Sequence, residues 1–243
     1  LGQRFEGRVV VVTGADRPEG IGSAIVRQLL EEGAMVLGHG FSGDEPDRDG
    51  DGDRFDWIEA DLGDPESPAR ILQRAKATFG SVDAVVVNHA HGSNQALETV
   101  TAQELDRAWA VNGRAAALLA QAFAAHYDGA RGNGRIVLFI SGQHLGPMPG
   151  ELPYVMSKGA VHQMTRTLAD ELADRGITVN AINPGPVDTG WASDDLREHL
   201  RSAFPAGRWG RPQDIAPVVA WLLSEESAWL TGQVIDAEGG FRR

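Results

Sequence analysis

The feature that most constrains this chain is a set of short segments that are apolar at every position. Residues 9–12 are four valines, residues 85–87 are three more, and residues 136–140 read Ile-Val-Leu-Phe-Ile. Successive side chains of a strand point to opposite faces, so a strand with one face in water alternates polar and apolar residues. A strand apolar on consecutive residues has both faces covered, as in a parallel sheet packed between helices. Strands are expected at 9–13, 35–39, 56–60, 84–88, 135–140, 178–183 and 233–236, and helices between them at 21–32, 65–79, 102–127, 154–175 and 212–223. This alternation has no linker and no internal repeat. It predicts a single doubly wound α/β domain over 1–243, with a seven-stranded parallel sheet and helices on both faces.

The charge balance narrows the partners. With 34 acidic against 22 basic residues the net charge is −12, which argues against a nucleic-acid partner and against anionic membranes. No apolar run is long enough to span a bilayer, the first residues lack the layout of a signal peptide, and there is no cysteine. A cytoplasmic protein is expected. Residues 42–54 are acidic and glycine-rich and are expected to form a mobile solvated loop. Asp47-x-Asp49-x-Asp51-Gly52 imitates the start of a calcium loop, but the twelfth position, where a bidentate glutamate belongs, is Ile58, so no metal site is expected.

The segment from Thr13 to Gly22 follows the first strand and opens the first helix. That is the context of a dinucleotide-binding (Rossmann) loop, with Gly14, Asp16, Arg17, Gly20, Ile21 and Gly22 as candidate contacts. Its glycines let the backbone approach a pyrophosphate, whose charge meets the helix N-terminus. The second strand ends Gly38-His39-Gly40-Phe41-Ser42, with no carboxylate for a ribose 2′-hydroxyl, and Arg17 suits a 2′-phosphate. NADP(H) is therefore expected in preference to NAD(H). Asp44 and Glu45 lie close enough in sequence to keep NAD(H) open.

Tyr154 and Lys158 are four apart, on one face of a helix and about one turn from each other. The ammonium is expected to lower the phenol pKa from about 10 and make it a usable proton donor or acceptor. Ser141, thirteen residues before Tyr154 and on a separate strand, brings a hydroxyl to hold a substrate oxygen against that phenol.

With these features the chain resembles the classical short-chain dehydrogenases/reductases, and within them the 3-oxoacyl-acyl-carrier-protein reductase-like enzymes, from about residue 8 to 240. Further motifs match. Asp61-Leu62 is similar to the family's adenine-contacting pair, and Asn88-His89-Ala90-His91-Gly92 stands where N-N-A-G is usual. Asn112 matches the helix asparagine of the catalytic tetrad, and the run 183–189, with Pro184, Gly185, Val187 and Thr189, matches the loop that holds the nicotinamide carboxamide. The resemblance implies Tyr154 as proton donor to a carbonyl, Lys158 lowering the phenol pKa and binding the nicotinamide ribose, Ser141 polarising the carbonyl, and Asn112 holding a water that links Lys158 to solvent.

Two departures stand out. Five residues separate Gly14 from Gly20, a length similar to that of the enoyl reductases of the same superfamily. Those space tyrosine and lysine by six intervening residues rather than three, so carbonyl or alcohol chemistry is favoured here. His91 also interrupts the N-A-G stretch. Expected substrate-pocket walls are Gln143, His144, Met148 and Trp191, with His89 and His91 as further candidates and a lid over 186–205 whose short helix is capped by Ser193.

The implied reaction is NADPH-dependent reduction of a ketone or 3-oxoacyl group to a secondary alcohol. The alternatives are an NAD-dependent secondary-alcohol dehydrogenase and a non-catalytic nucleotide sensor. The expected substrate is a small carbonyl or alcohol or an acyl thioester. Arg131, Arg135 and Arg175 are candidate docking arginines for a carrier protein. Alanine-rich faces on 102–127 and 154–175 imply a homotetramer.

Overall fold

The structure is a computed structural model that describes residues 3–41, 52–129 and 133–243. Most of the acidic segment, with the calcium-loop imitation, Asp44 and Glu45, lies outside the described residues; its end, Gly52–Arg54, forms a 3-10 turn.

Seven parallel strands form one sheet: β1 Val9–Thr13, β2 Met35–Gly40, β3 Phe55–Glu59, β4 Ala84–Val87, β5 Gly134–Phe139, β6 Ile177–Asn183 and β7 Val234–Asp236. Their order is β3-β2-β1-β4-β5-β6-β7. In register, Thr13 stands beside His39 on one side and Val87 on the other. The order reverses between β1 and β4, which opens a crevice at their carboxyl ends, where ligands bind in open α/β sheets.

Both faces are covered, as the continuous valines require. Val11 packs with Ile71, Leu72, Leu119 and Phe123 on one side, while Val10 and Val12 pack with Ile25, Leu29, Val219 and Leu223 on the other. Each fully buried aliphatic side chain contributes about 1.5–3 kcal/mol. The covering helices are α1 Ile21–Glu31, α2 Ser67–Phe79, α3 Ala102–Ala108, α4 Ala115–His126, α5 Leu152–Ala173 and α7 Pro212–Leu223, with a short α6 at Asp194–Arg201.

The helix expected over 102–127 is not continuous. Residues Trp109–Arg114 form a π-helical turn between α3 and α4. Gly113 lies under the Trp109 ring, which a Cβ there would meet at 2.5 Å. Such bulges cluster at functional sites, and Asn112 sits inside this one. α5 begins at Leu152, with Pro153 in its first turn, where a missing N–H costs nothing. Ser193 caps α6 as expected, accepting from Leu196 N at 3.3 Å.

Among the described residues the candidate docking arginines form no patch. Arg135 is buried and donates to the carbonyls of Gly134 and Ser224. Arg175 donates to the carbonyls of Ala124 and Tyr127, and Arg131 lies outside the described residues.

Candidate active site

The glycine loop leaves β1 and enters α1 with no side-chain cap at Gly20, so the N–H groups of the first turn face outward. Two glycines are sterically required. A Cβ on Gly14, whose φ is +70°, would lie 2.7 Å from His89 Cα, and one on Gly22 would lie 2.1 Å from Gly14 O. Open amide donors on a loop that accepts no side chains fit the pyrophosphate of a dinucleotide. Asn88 braces this loop from behind, its Nδ2 donating to Thr13 O and Gly14 O. Ala90 is exposed beside it, Ile21 is half-buried and Leu62 is buried under the crevice.

The Arg17 guanidinium is exposed and has no partner among the described residues. Asp16 turns back across the tip of β2, where its Oδ2 accepts from Phe41 N at 3.0 Å. Gly40 makes this approach possible, since a Cβ there would lie 2.5 Å from Asp16 Cβ. A carboxylate therefore does stand at the strand tip, contributed by the glycine loop rather than by β2. Asp61 accepts two bonds from Arg107, both at 3.2 Å, and one from Gly63 N. Burial works against its ionisation, but the Arg107 and Gly63 bonds together hold its pKa below the usual value.

Ser141, Tyr154 and Lys158 come together from the end of β5 and the first turns of α5. Lys158 is buried, and its Nζ donates to Phe139 O at 2.8 Å and lies 5.9 Å from the centre of the Tyr154 ring. The expected lowering of the phenol pKa does not occur. Desolvation pushes Tyr154 up to about 12, with the Ser141 hydroxyl working the other way and Glu151 adding to the rise. Desolvation also brings Lys158 down to about 8. The ammonium is directed at a backbone carbonyl of β5 rather than at the phenol, so the lysine loses its proton well before the tyrosine does.

The Asn112 side chain is bonded within the protein at both ends. Its Oδ1 accepts from His91 N, and its Nδ2 donates to His91 O and to Ser157 Oγ. His91 turns its Nε2 to Glu104 Oε1 (2.8 Å), while His89 is buried with both ring nitrogens engaged, by Thr13 Oγ1 and Val111 O.

On the substrate side, Gln143 Oε1 accepts from Ser141 N and Met148 Sδ accepts from Ser141 Oγ at 3.8 Å. His144 has both ring nitrogens engaged, with Ser141 O at 3.3 Å and Asp236 Oδ1 at 3.1 Å, and it stacks on His162. The loop after β6 carries Pro184 and Gly185. Gly185, at φ +62°, passes so close to Glu238 that a Cβ would meet that side chain at 2.9 Å. Val187 is buried and Thr189 half-buried, on the way to α6. Trp191 packs on Trp209 and donates from Nε1 to Val187 O, which ties the lid to this loop. Sequence reasoning missed Glu151; the available signal was a carboxylate three residues before Tyr154, at the start of the same helix.

The family model described as enoyl-(acyl carrier protein) reductase matches residues 14–242. An uncharacterized oxidoreductase, YjdA, of Bacillus subtilis is 38% identical, covering 97% of each chain. Versicolorin reductase 1 of Aspergillus parasiticus is 33% identical over 98% of this chain and 97% of its own. Among solved structures, a dehydrogenase/reductase from Sinorhizobium meliloti 1021 superposes with a TM-score of 0.89 at 33% identity, over 98% of this chain and 96% of its own. The reductase LugOII, described as catalysing keto-reduction at C1 during lugdunomycin biosynthesis, superposes at 0.85 with 34% identity, over 98% of each chain. The chain belongs to the short-chain dehydrogenase/reductase family. It is an oxidoreductase of that family, whose members use a nicotinamide nucleotide. No helix among the described residues is long and apolar enough to cross a membrane.

Proposed function

We propose that the protein reduces a ketone or 3-oxoacyl group to a secondary alcohol with NADPH. The observation that carries this reading is the Ser141–Tyr154–Lys158 cluster with its phenol held protonated, a donor at every physiological pH. Three residues between Tyr154 and Lys158 favour carbonyl chemistry over the enoyl reduction named in the family description, and the keto-reduction named for LugOII points the same way.

A bound nicotinamide would supply the hydride. Gly14, Gly20 and Gly22 would seat its pyrophosphate, and Pro184, Gly185, Val187 and Thr189 its carboxamide. Tyr154 gives its proton to the carbonyl oxygen as negative charge develops there, and Ser141 donates to the same oxygen. Lys158, its pKa brought down to about 8 by burial, is still largely an ammonium at neutral pH and stabilises the phenolate left behind. Asn112 positions the loop that carries His91 rather than touching substrate.

Arg17, exposed and unpaired among the described residues, supports NADPH. Asp16 favours a second reading, an NAD-dependent alcohol dehydrogenase, because a carboxylate at the tip of β2 is what a ribose diol needs. Calorimetric titration with NADP⁺ and NAD⁺ tests both. Preference for NADP⁺ that is lost in Arg17→Ala supports the reductase. Preference for NAD⁺ that is lost in Asp16→Ala supports the dehydrogenase. Exposed Trp109 and Met156, on the π turn and α5, support a homotetramer, which sedimentation as a monomer at micromolar concentration would contradict.

A further inference from the structure

Two polar groups near Ser141 and Tyr154 find no partner among the described residues. The first is the Gln143 amide. Its Oε1 accepts from the backbone N–H of Ser141 at 3.1 Å, which decides which end of the amide is oxygen. The other end, Nε2, is buried and donates to nothing among the described residues. A buried donor with no acceptor is costly, and at a binding site it marks where a ligand atom belongs. Nε2 shares a carbon with an oxygen seated on Ser141 itself, so it lies close to the position of the reacting carbonyl.

The second group is the Glu151 carboxylate. Glu151 immediately precedes α5, yet its side chain does not cap the helix, and no donor reaches its carboxylate among the described residues. It stands three residues before Tyr154, at the N-terminal end of the helix that carries the phenol. Its turn is pinned by Leu152, whose N–H donates to Gln95 O at 3.0 Å. Its backbone N–H donates to Met148 O at 3.4 Å, and Met148 Sδ accepts from Ser141 Oγ at 3.8 Å, which brings Glu151 to the Ser141 side of the helix start; burial raises its carboxyl pKa, and its charge acts on the phenol of Tyr154.

We propose that Gln143 and Glu151 together bind a hydroxyl that the substrate carries one or two carbons from its reacting carbonyl, Gln143 Nε2 donating to the hydroxyl oxygen and the Glu151 carboxylate accepting its hydrogen. A hydroxyl satisfies both groups at once. A second carbonyl or an ester satisfies Gln143 but turns a lone pair on Glu151, a carboxylate is repelled by Glu151, and an ammonium is repelled by nothing there but gives Gln143 no acceptor. This rests on the carbonyl-reductase reading and sharpens it, favouring hydroxylated ketones over 3-oxoacyl groups.

The test is kcat/KM for cyclohexanone, 2-hydroxycyclohexanone, 3-hydroxycyclohexanone and ethyl acetoacetate, with NADPH and with NADH. At least one hydroxy ketone is expected to exceed both other substrates about tenfold or more. Gln143→Glu keeps an oxygen for Ser141 N–H but puts an acceptor where the donor stood, and Glu151→Leu removes the acceptor. Each is expected to cut the ratio of hydroxy ketone to cyclohexanone at least fivefold; thermal denaturation checks that both variants fold, and isosteric Glu151→Gln serves if Glu151→Leu does not. A wild-type ratio near one, or a ratio unchanged in the variants, overturns the proposal. If no ketone is turned over, the reductase reading fails on its own. Calorimetric binding of trans-1,2-cyclohexanediol against cyclohexanol to the enzyme with NADP⁺ or NAD⁺ then still decides: tighter diol binding that the variants lose supports the hydroxyl site, and equal affinities overturn it.

Discussion

The side chain of Asn112 clasps the backbone of His91 from both ends, Oδ1 accepting from His91 N at 2.7 Å and Nδ2 donating to His91 O at 3.0 Å. The second Nδ2 hydrogen goes to Ser157 Oγ at 2.9 Å, and that hydroxyl donates to Tyr154 O at 2.8 Å. One amide in the π turn thus joins the loop after β4 to the backbone of the candidate proton donor. Asn112→Asp keeps the shape but cannot donate, so His91 O and Ser157 Oγ both lose that donor, while its carboxylate is placed in a buried position. It is expected to cost about 2–3 kcal/mol in urea denaturation and to lower kcat/KM by tenfold or more. A stability within about 0.5 kcal/mol of wild type would mean that the clasp contributes nothing.

Lys158 is expected to set the alkaline limit of activity. Its pKa is brought down to about 8 by burial, whereas the Tyr154 phenol, at about 12, keeps its proton throughout. Below about 8 the ammonium is present, and above it the charge is lost. The pH profile of kcat/KM for ketone reduction reports the free enzyme, so it should be flat below about pH 8 and fall above. Lys158→Met should be slow and lack that inflection. Tyr154→Phe should lose about 10²–10⁴-fold in kcat, the usual contribution of a positioned proton donor.

The strands were legible because their apolar character is continuous and needs no partner to be read; β1 and α7 match residue for residue. The π turn was not, because one extra residue in a helical turn leaves the apolar pattern of 102–127 almost unchanged. Lys158 was placed on the right helical face, but its hydrogen bond goes to Phe139 O of β5, a tertiary contact that local spacing does not contain. The Asp16 carboxylate at the tip of β2 was missed for a similar reason: the tip was read from β2 alone. Gly40, the glycine that makes room for Asp16, was the available clue.

His89 and His39 make the nucleotide end of the fold acid-sensitive. His89 Nε2 donates to Val111 O at 2.8 Å while its Nδ1 accepts from Thr13 Oγ1 at 2.8 Å, so the ring is neutral. Burial above all, then the charges of His39 and Lys158, lowers its pKa from 6.5 to about 3; burial lowers His39 as well. Both folded pKa values lie below the unfolded one, so the unfolded chain takes up protons first as pH falls. The stability is complete above about pH 6.5 and is lost as the pH drops toward the folded values. For His89 alone the loss between pH 7 and 5 is about 2 kcal/mol. Urea midpoints at the two pH values measure it, and His89→Asn should flatten the dependence whatever its absolute stability; an unchanged slope would exonerate His89.

Gly22 and Gly80 are required for opposite reasons, and alanine separates them. Gly22 has no positive φ, but its Cβ would sit 2.1 Å from Gly14 O and 2.8 Å from Gly14 C, both backbone atoms of the candidate pyrophosphate loop. Gly80 ends α2 at φ +84°, with open space around its Cβ. Gly80→Ala therefore meets only the left-handed penalty, about 1–2 kcal/mol, far from the crevice, and nucleotide affinity should be unchanged. Gly22→Ala must push the loop itself aside, so it should cost about 3 kcal/mol or more and abolish nucleotide binding in calorimetry even where the protein still folds. If Gly22→Ala bound nucleotide as wild type does, the close packing of Gly22 on Gly14 would not be what shapes the phosphate seat.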